Sequence, residues 1–311
     1  MQYYSCFYEN TDMKWLKWLL VLLGILWSLS ALLPHFQRDR LEVWMLNVGQ
    51  GESILVREPS GKLLLYDGGP DESVLQQLGN VLPPWQRRID LIILSHDHTD
   101  HLTGLISVLQ RYQVGEIWAS GATYKSPEYQ RFIAEISERH IPKRNLYFNI
   151  EQCQESLVCP IPITFGQASL QVYHPLFDMA GAEPHQPHDA TLSVKASYRG
   201  QSVFLTGDLD EQHEQSMIDA CQQPRCTLNA TLLQVPHHGS ATGLLDAFLR
   251  SVGPHYALFP VGLNNKFNFP RPEILTKLQI GGVPFWRTDL NGRIHASLGG
   301  SKVTVQPEHP G

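Results

Sequence analysis

A chain of 311 residues, 42% hydrophobic and 17% charged, has the composition of a globular protein with a full core, which excludes the disordered and collagen-like classes. A formal net charge of −6 and a pI near 6.1 exclude a global basic field that would attract nucleic acid, leaving only the option of a local cationic groove. The first forty residues stand apart from the rest. "WLLVLLGILWSLSALL", Trp18 to Leu33, carries no charge, and Trp15 and Leu16 extend it. A membrane span takes roughly 17–25 such residues, so one membrane anchor helix is expected at about residues 15–33 of an N-terminal segment 1–40. Trp15, Trp18 and Trp27 suit lipid or interfacial contact, and Lys14 and Lys17 suit one end. The alternative is a secretory signal peptide, but "LPHFQRDR" follows the run in place of a small-residue cleavage site. Lys14 and Lys17 on one side nearly balance Arg38 and Arg40 on the other, so charge does not orient the helix.

From residue 41 to 311, strands alternate with helices without a composition break, which predicts one layered α/β domain. "LEVWMLNVG" and "SILVREPSGKLLLYDGG" read as strands joined by a Pro-Ser-Gly turn. "IDLIILS" is a continuous apolar run of strand length, the pattern of a strand buried on both faces. "HLTGLISVLQRYQ" repeats its apolar residues at Leu102, Leu105, Ile106 and Leu109, a helical spacing, and "GEIWAS" is a short strand. Helical "SPEYQRFIAEISERH" and a cysteine-containing loop occupy the less legible middle. Strand-like "ASLQVYHPL", "TLSVKASYRGQSVFLTGD", "ATLLQVPHHGS" and "HYALFPVG" follow, with helical "EQHEQSMIDA" and "RPEILTKLQ". Cys153/Cys159 and Cys221/Cys226 are two locally spaced pairs that suit disulfides in an oxidising compartment, which places the main domain outside the cytoplasm; buried free thiols are the alternative.

The chemistry concentrates in "SHDHTDHLTG". His96, His98, Asp100 and His101 lie in the connection between a buried strand and a helix, where sites of α/β folds gather. Imidazole and carboxylate are the ligands of Zn²⁺ and similar cations, and two such pairs can serve two ions. Asp208 ends the apolar strand of "SVFLTGDL", and His237 and His238 end that of "LLQVPHHGS", followed by a glycine and the hydroxyl of Ser240. His188 in "QPHDATLSV" is a further imidazole. Asp67 in "LLLYDGG" reads as a carboxylate behind a ligand histidine, orienting it, or as a turn acid before two glycines.

"HDHTDH" resembles the HxHxDH signature of the metallo-β-lactamase superfamily. Together with "LNVGQGESILV", "LLYDGG", "FLTGDL", "VPHHGS" and "RTDLNG", in order from about Leu41 to His295, it resembles the branch formed by the C-terminal domain of ComEC, the DNA-internalisation competence protein. The resemblance implies an αββα sandwich with one or two divalent metal ions, zinc or manganese, at one edge between the sheets. It implies His96, His98 and His188 on one metal, Asp100 and His101 on the second, and Asp208 bridging. His237 or His238 would then be the proton donor or a substrate contact, with Ser240 nearby. Three departures stand out. His98 replaces a common Asp, and His188 stands where an Asn is usual. Glu52 replaces an Asp in the "VGQG" strand. In "NKFNFPRP", Phe269 precedes Pro270 where the branch carries His-Pro. The second site is therefore expected to lack a ligand unless Asn268, His237 or water substitutes.

The implied activity is a membrane-anchored, metal-dependent phosphodiesterase or nuclease acting on DNA during competence-related uptake. One anchor helix forms no pore, so a separate DNA-translocation channel would be its partner. Two rival readings remain. One is a metallohydrolase of a lactone, thioester or β-lactam. The other is a degenerate, non-catalytic domain that binds DNA or a partner. The aromatic and amide residues Asn264 to Phe269 would stack on bases or pack as a surface loop.

Overall fold

The computed structural model describes residues 12–32, 39–153, 156, 158–222 and 226–310, with side chains 15–25 in the first stretch. The chain divides into two units between Arg38 and Asp39. The first contains helix α1 (Asp12–Leu32), whose side chains from Trp15 to Ile25 are exposed. Among the described residues, no helix is long and apolar enough to cross a membrane.

The second unit begins with antiparallel β1 (Leu41–Met45), β2 (Ile54–Arg57) and β3 (Leu63–Tyr66). It continues through α2 (Ser73–Val81), β4 (Arg88–Ile93), α3 (Thr99–Arg111), β5 (Gln113–Ala119), α4 (Pro127–Glu138) and β6 (Lys143–Asn145), with β3 to β6 parallel. Antiparallel β7 (Ile163–Phe165), β8 (Ala168–His174), β9 (Ser193–Tyr198) and β10 (Gln201–Leu205) start a second sheet. Then come α5 (Glu211–Ala220), β11 (Leu232–Gln234), α6 (Asp246–Val252), β12 (Tyr256–Phe259), α7 (Pro272–Ile280) and β13 (Phe285–Arg287), the strands now parallel. A short α8 (Thr288–Asn291) leads to β14 (Ile294–Leu298) and β15 (Thr304–Pro307), which return to the first sheet beside β1. The strand orders are β15-β14-β1-β2-β3-β4-β5-β6 and β13-β12-β11-β10-β9-β8-β7.

Two-residue alternation sorts the side chains into layers. Leu64 and Leu91, paired across β3 and β4, face the second sheet and meet Leu170, Val194, Val203 and Leu232 there. The next pair, Leu65 and Ile92, faces outward onto Leu78, Leu102, Leu105 and Leu109 of α2 and α3. On the second sheet, Phe204 and Leu233 face outward onto Met217, Phe248 and Ile274 of α5, α6 and α7. Burial of each such leucine contributes about 1.5–3 kcal/mol. Both faces of β4 are covered, as its unbroken apolar run predicts. The result is the expected αββα order of layers, with the ends of β3, β4, β10 and β11 at one edge of the sandwich. Cys153–Cys159 and Cys221–Cys226 are joined as disulfides.

Candidate metal centre

The hexad splits in two at the start of α3. His96 lies three residues past the end of β4, and His98 caps α3 in extended conformation (φ −107°, ψ 145°). Asp100 and His101 lie in the first helical turn, so their side chains turn to a second position. Helix α3 presses directly on the turn after β3. A Cβ on Gly104 would lie 1.9 Å from the Gly68 carbonyl oxygen, so only glycine fits there. The Gly68 N–H donates to the His101 carbonyl at 2.7 Å and locks the contact.

That contact brings Asp67, fully buried with φ 57°, under the histidines. Asp67 Oδ2 accepts from His101 Nδ1 at 2.7 Å and from the Ser95 hydroxyl at 2.5 Å; Oδ1 accepts from the Ser95 N–H at 2.7 Å. With its hydrogen committed to Asp67, the Ser95 oxygen accepts from His96 Nδ1 at 2.9 Å. One carboxylate thus sets the tautomer of two imidazoles, each of which, when neutral, presents an unprotonated Nε2 to the site. Buried His96 Nε2 has no hydrogen-bond partner and points to Asp208 Oδ2 at 3.8 Å.

Asp208 directly follows the Thr206–Gly207 turn, which is held by Gln234, a residue the sequence did not single out. Buried Gln234 Oε1 accepts from Thr206 N–H (2.5 Å), the Thr206 hydroxyl (2.7 Å) and Gly207 N–H (2.8 Å). Its amide nitrogen donates to the carbonyls of Gly207 and Val235. The available signal was an amide inside the apolar run "LLQV", where a buried polar group needs partners.

His237 and His238 both adopt positive φ, 50° and 54°, an uncommon backbone for non-glycine residues that marks an over-determined site. The turn sends the two rings to different places. His238 is buried, donates Nδ1–H to the Pro260 carbonyl at 2.6 Å and brings Nε2 to 3.4 Å from Asp100 Oδ2 and 3.5 Å from Asp208 Oδ1. His237 stays at the rim, with Nε2 3.8 Å from Asp208 Oδ2 and Nδ1 3.3 Å from the Thr242 hydroxyl. Ser240 touches no carboxylate of the site; its hydroxyl meets that of Thr242 at 3.1 Å.

These histidines and acids form two ligand groups besides one that includes Glu52: His96, His98, His188 and Asp208 in the first, and Asp100, His101 and His238 in the second, with donor atoms within 4.8 Å of one another in each. Asp208 Oδ1 also lies 3.3 Å from His101 Nε2, so this carboxylate stands between the groups. Of the two histidines read as candidate proton donors, His238 is the one that brings a ring nitrogen into the group of Asp100 and His101. Phe269, whose ring has no ligand atom, meets His237 edge-on at 5.9 Å. Asp97, the remaining acid of the hexad, accepts from the Ser126 hydroxyl that caps α4, so it serves structure.

The donor set fits divalent cations. Nε2 of His101 and Nε2 of His238 are 3.3 Å apart; with each Nδ1 hydrogen given to an acceptor, the neutral rings would aim two lone pairs at one place, which a proton or a cation can occupy. Burial pulls the His101 imidazole down, but Asp208, Asp100 and Asp67 hold it well above its ordinary range, a measure of how strongly this pocket attracts positive charge. Burial would raise Asp208, yet His101 and His238 hold it well below the usual carboxylate range. On the other side, burial pushes His188 down to about 4 and also lowers His96 and His98, the neutral state a ligand imidazole needs.

Residues 46–262 match the family model described as the metallo-beta-lactamase superfamily. The chain belongs to that superfamily. It is 26% identical over 270 residues to "ComE operon protein 3" of Bacillus subtilis (strain 168), covering 81% of this chain and 32% of that protein. It is 27% identical over 268 residues to "Competence protein ComA" of Neisseria gonorrhoeae, covering 85% and 33%. "Recombination protein 2" of Haemophilus influenzae is 25% identical over 280 residues, covering 88% and 31%. The chain therefore spans about a third of the length of these relatives. Among solved structures, Igni18, a metallo hydrolase from Ignicoccus hospitalis KIN4/I, superposes with a TM-score of 0.51 at 11% identity, over 82% of this chain and 98% of that one. That likeness is one of fold.

Proposed function

We propose that this chain is a two-metal phosphodiesterase that cleaves DNA in competence-linked uptake. The observation that carries the reading is Asp208, buried and central to two groups of protein donors. His96, His98, His188 and Asp208 would hold one ion; Asp100, His101, His238 and Asp208 would hold the second. Such ions, when bound, supply Lewis-acid activation of water and neutralise charge on a phosphate.

The chain's own residues supply orientation and a donor. Asp67 keeps His96 and His101 in their ligand tautomers. His237 Nδ1 lies 3.3 Å from the Thr242 hydroxyl; in the tautomer that accepts from that hydroxyl, His237 would carry its hydrogen on Nε2 at the rim, placed to donate to a departing oxygen. DNA as substrate is supported by the names of the competence and recombination relatives and by the loop beside His237. There Phe267 stacks on Phe269 (centroids 5.4 Å, 18°), with Lys266 5.0 Å and Arg271 5.8 Å from the two ring centres. Aromatic faces with flanking cations suit unpaired bases on a phosphate backbone. A membrane-tethering role for the N-terminal segment and an extracytoplasmic domain working with a separate translocation channel are part of the same proposal; the uncharged run from Trp18 to Leu33 and the two disulfides support them.

The test is cleavage of labelled single- and double-stranded DNA by the purified chain with Mn²⁺ or Zn²⁺, beside a panel of lactones, thioesters and β-lactams. Cleavage abolished by His96→Ala and Asp208→Ala, and lowered about 10²-fold or more by His237→Ala with metal content unchanged, is the expected result. Intact DNA with lactone, thioester or β-lactam turnover would replace the reading with a small-molecule hydrolase. DNA retention without cleavage would leave a binding domain.

A further inference from the structure

The turn between β1 and β2 brings one more acid to the centre, and nothing so far accounts for it. Gly51 (φ 150°) leaves no room for a side chain, since a Cβ there would lie 2.4 Å from the Asp100 carbonyl oxygen. The Glu52 N–H then donates to that same carbonyl at 3.0 Å, and the Glu52 carbonyl accepts from Gly69 N–H at 2.7 Å. Residue 52 is thereby tied to both the start of α3 and the turn behind Asp67. Its side chain is fully buried, and neither carboxylate oxygen has a hydrogen-bond partner. A donor atom of Glu52 lies within 4.8 Å of donor atoms of Asp208 and His238. A buried carboxylate without hydrogen bonds is costly unless a cation faces it.

We propose that Glu52 is a further oxygen ligand of the second site, and that it makes that site selective for a hard, six-coordinate cation of the Mn²⁺ class. The two sites then differ in donor chemistry. Three imidazoles and Asp208 form a nitrogen-rich, four-donor set suited to Zn²⁺. Glu52 shares one group with Asp208 and His238, and His238 shares another with Asp100 and His101; together they would offer two nitrogens and three carboxylates, which suits a cation of higher coordination number. The chain is thus built to hold two different metals. The inference rests on reading these groups as a metal centre and goes beyond that reading in naming an added ligand and a metal preference.

The test uses the full chain, stripped of metal, given one equivalent of Zn²⁺ and titrated with Mn²⁺. Bound Mn²⁺ is counted by EPR and both metals by mass spectrometry, with no substrate present. The expected result is one zinc and one manganese per chain. Glu52→Gln is expected to weaken Mn²⁺ at least tenfold, leave the zinc within twofold, and add one coordinated water to the residual Mn²⁺ by pulsed EPR in ¹⁷O-water. Circular dichroism checks folding, and Glu52→Ala, which leaves space for water, serves as the second variant. Wild-type Mn²⁺ affinity or an unchanged water count in both variants would overturn the ligand role and leave Glu52 a neutral buried acid. Two zincs and no manganese in the wild-type chain would overturn the metal preference. Failure to bind any metal would overturn the metal centre itself, whereas normal binding without DNA cleavage would sink only the proposed activity.

Discussion

Asp67→Asn is the sharpest test of how the centre is organised, because it alters one atom and leaves the volume unchanged. The asparagine oxygen is expected to remain on the Ser95 N–H, 2.7 Å from Oδ1 in the native protein. Its amide nitrogen then replaces the oxygen that accepts from His101 Nδ1 and from the Ser95 hydroxyl. Facing a donor, His101 must accept at Nδ1, which moves its hydrogen to Nε2 and removes the lone pair aimed at the second site. Ser95 then turns its own donor toward His96 Nδ1, so the first site is perturbed too, one step removed. Losing such an orienting carboxylate weakens a metal about 10- to 100-fold, or roughly 1.4–2.8 kcal/mol. Binding at a hundred times Kd stabilises a fold by about 2.7 kcal/mol; after the substitution the same metal concentration would contribute about 1.4 to 0.4 kcal/mol. At roughly 2–4 °C per kcal/mol for a domain near this size, the metal-induced rise in Tm should shrink by roughly 3–9 °C. The assay is thermal unfolding of wild-type and D67N protein with and without metal, paired with metal content. An undiminished Tm rise with two metals bound would refute the tautomer argument and return Asp67 to the role of a turn acid.

Three further outcomes follow from particular contacts. Gln234→Leu strands Thr206 N–H and Gly207 N–H in the interior, while the Thr206 hydroxyl keeps the main-chain carbonyl of residue 234, and should cost about 3 kcal/mol, read as a lower urea midpoint with an unchanged slope. Burial pushes Glu214 up to about 8, against the backbone N–H groups of Leu244 and Leu245 that favour its charged form. A raised carboxyl contributes stability that is present below about pH 4.5 and lost as pH rises through 8, with a ceiling of about 5 kcal/mol at 1.36 kcal/mol per unit. Tm should therefore fall between pH 6 and 9, and Glu214→Gln should flatten that fall; parallel curves would contradict the assignment. Phe267→Ala should weaken single-stranded DNA binding by about 1–3 kcal/mol without changing metal content, measured by fluorescence anisotropy at fixed salt.

Much of this protein was legible in its residues because the relevant signals are local. The apolar run ending at Ser95 required a strand covered on both faces. The spacing of Leu102, Leu105, Ile106 and Leu109 required a helix packed on one face, and the hexad between them required a ligand-bearing crevice. The cysteine pairs lie close enough in sequence to be matched. What stayed hidden depends on contacts between distant segments. β14 and β15 complete the first sheet beside β1 only because the chain returns across the sandwich, and nothing in "RIHASLGG" specifies that neighbour. His237 and His238 are chemically identical neighbours. Two left-handed backbone positions and the Pro260 carbonyl decide that His238 joins Asp100 and His101 while His237 stays at the rim. Glu52 and Gln234 look like ordinary polar residues until Gly51 meets Asp100 and β11 lies beside β10, where burial leaves one without a partner and gives the other five hydrogen bonds. The sequence by itself determined which elements form and which residue types hold a cation, because these follow from short-range periodicity and donor chemistry. The division of donors between the two groups was decided only by tertiary structure, because it depends on directions and distances among side chains brought together from both sheets.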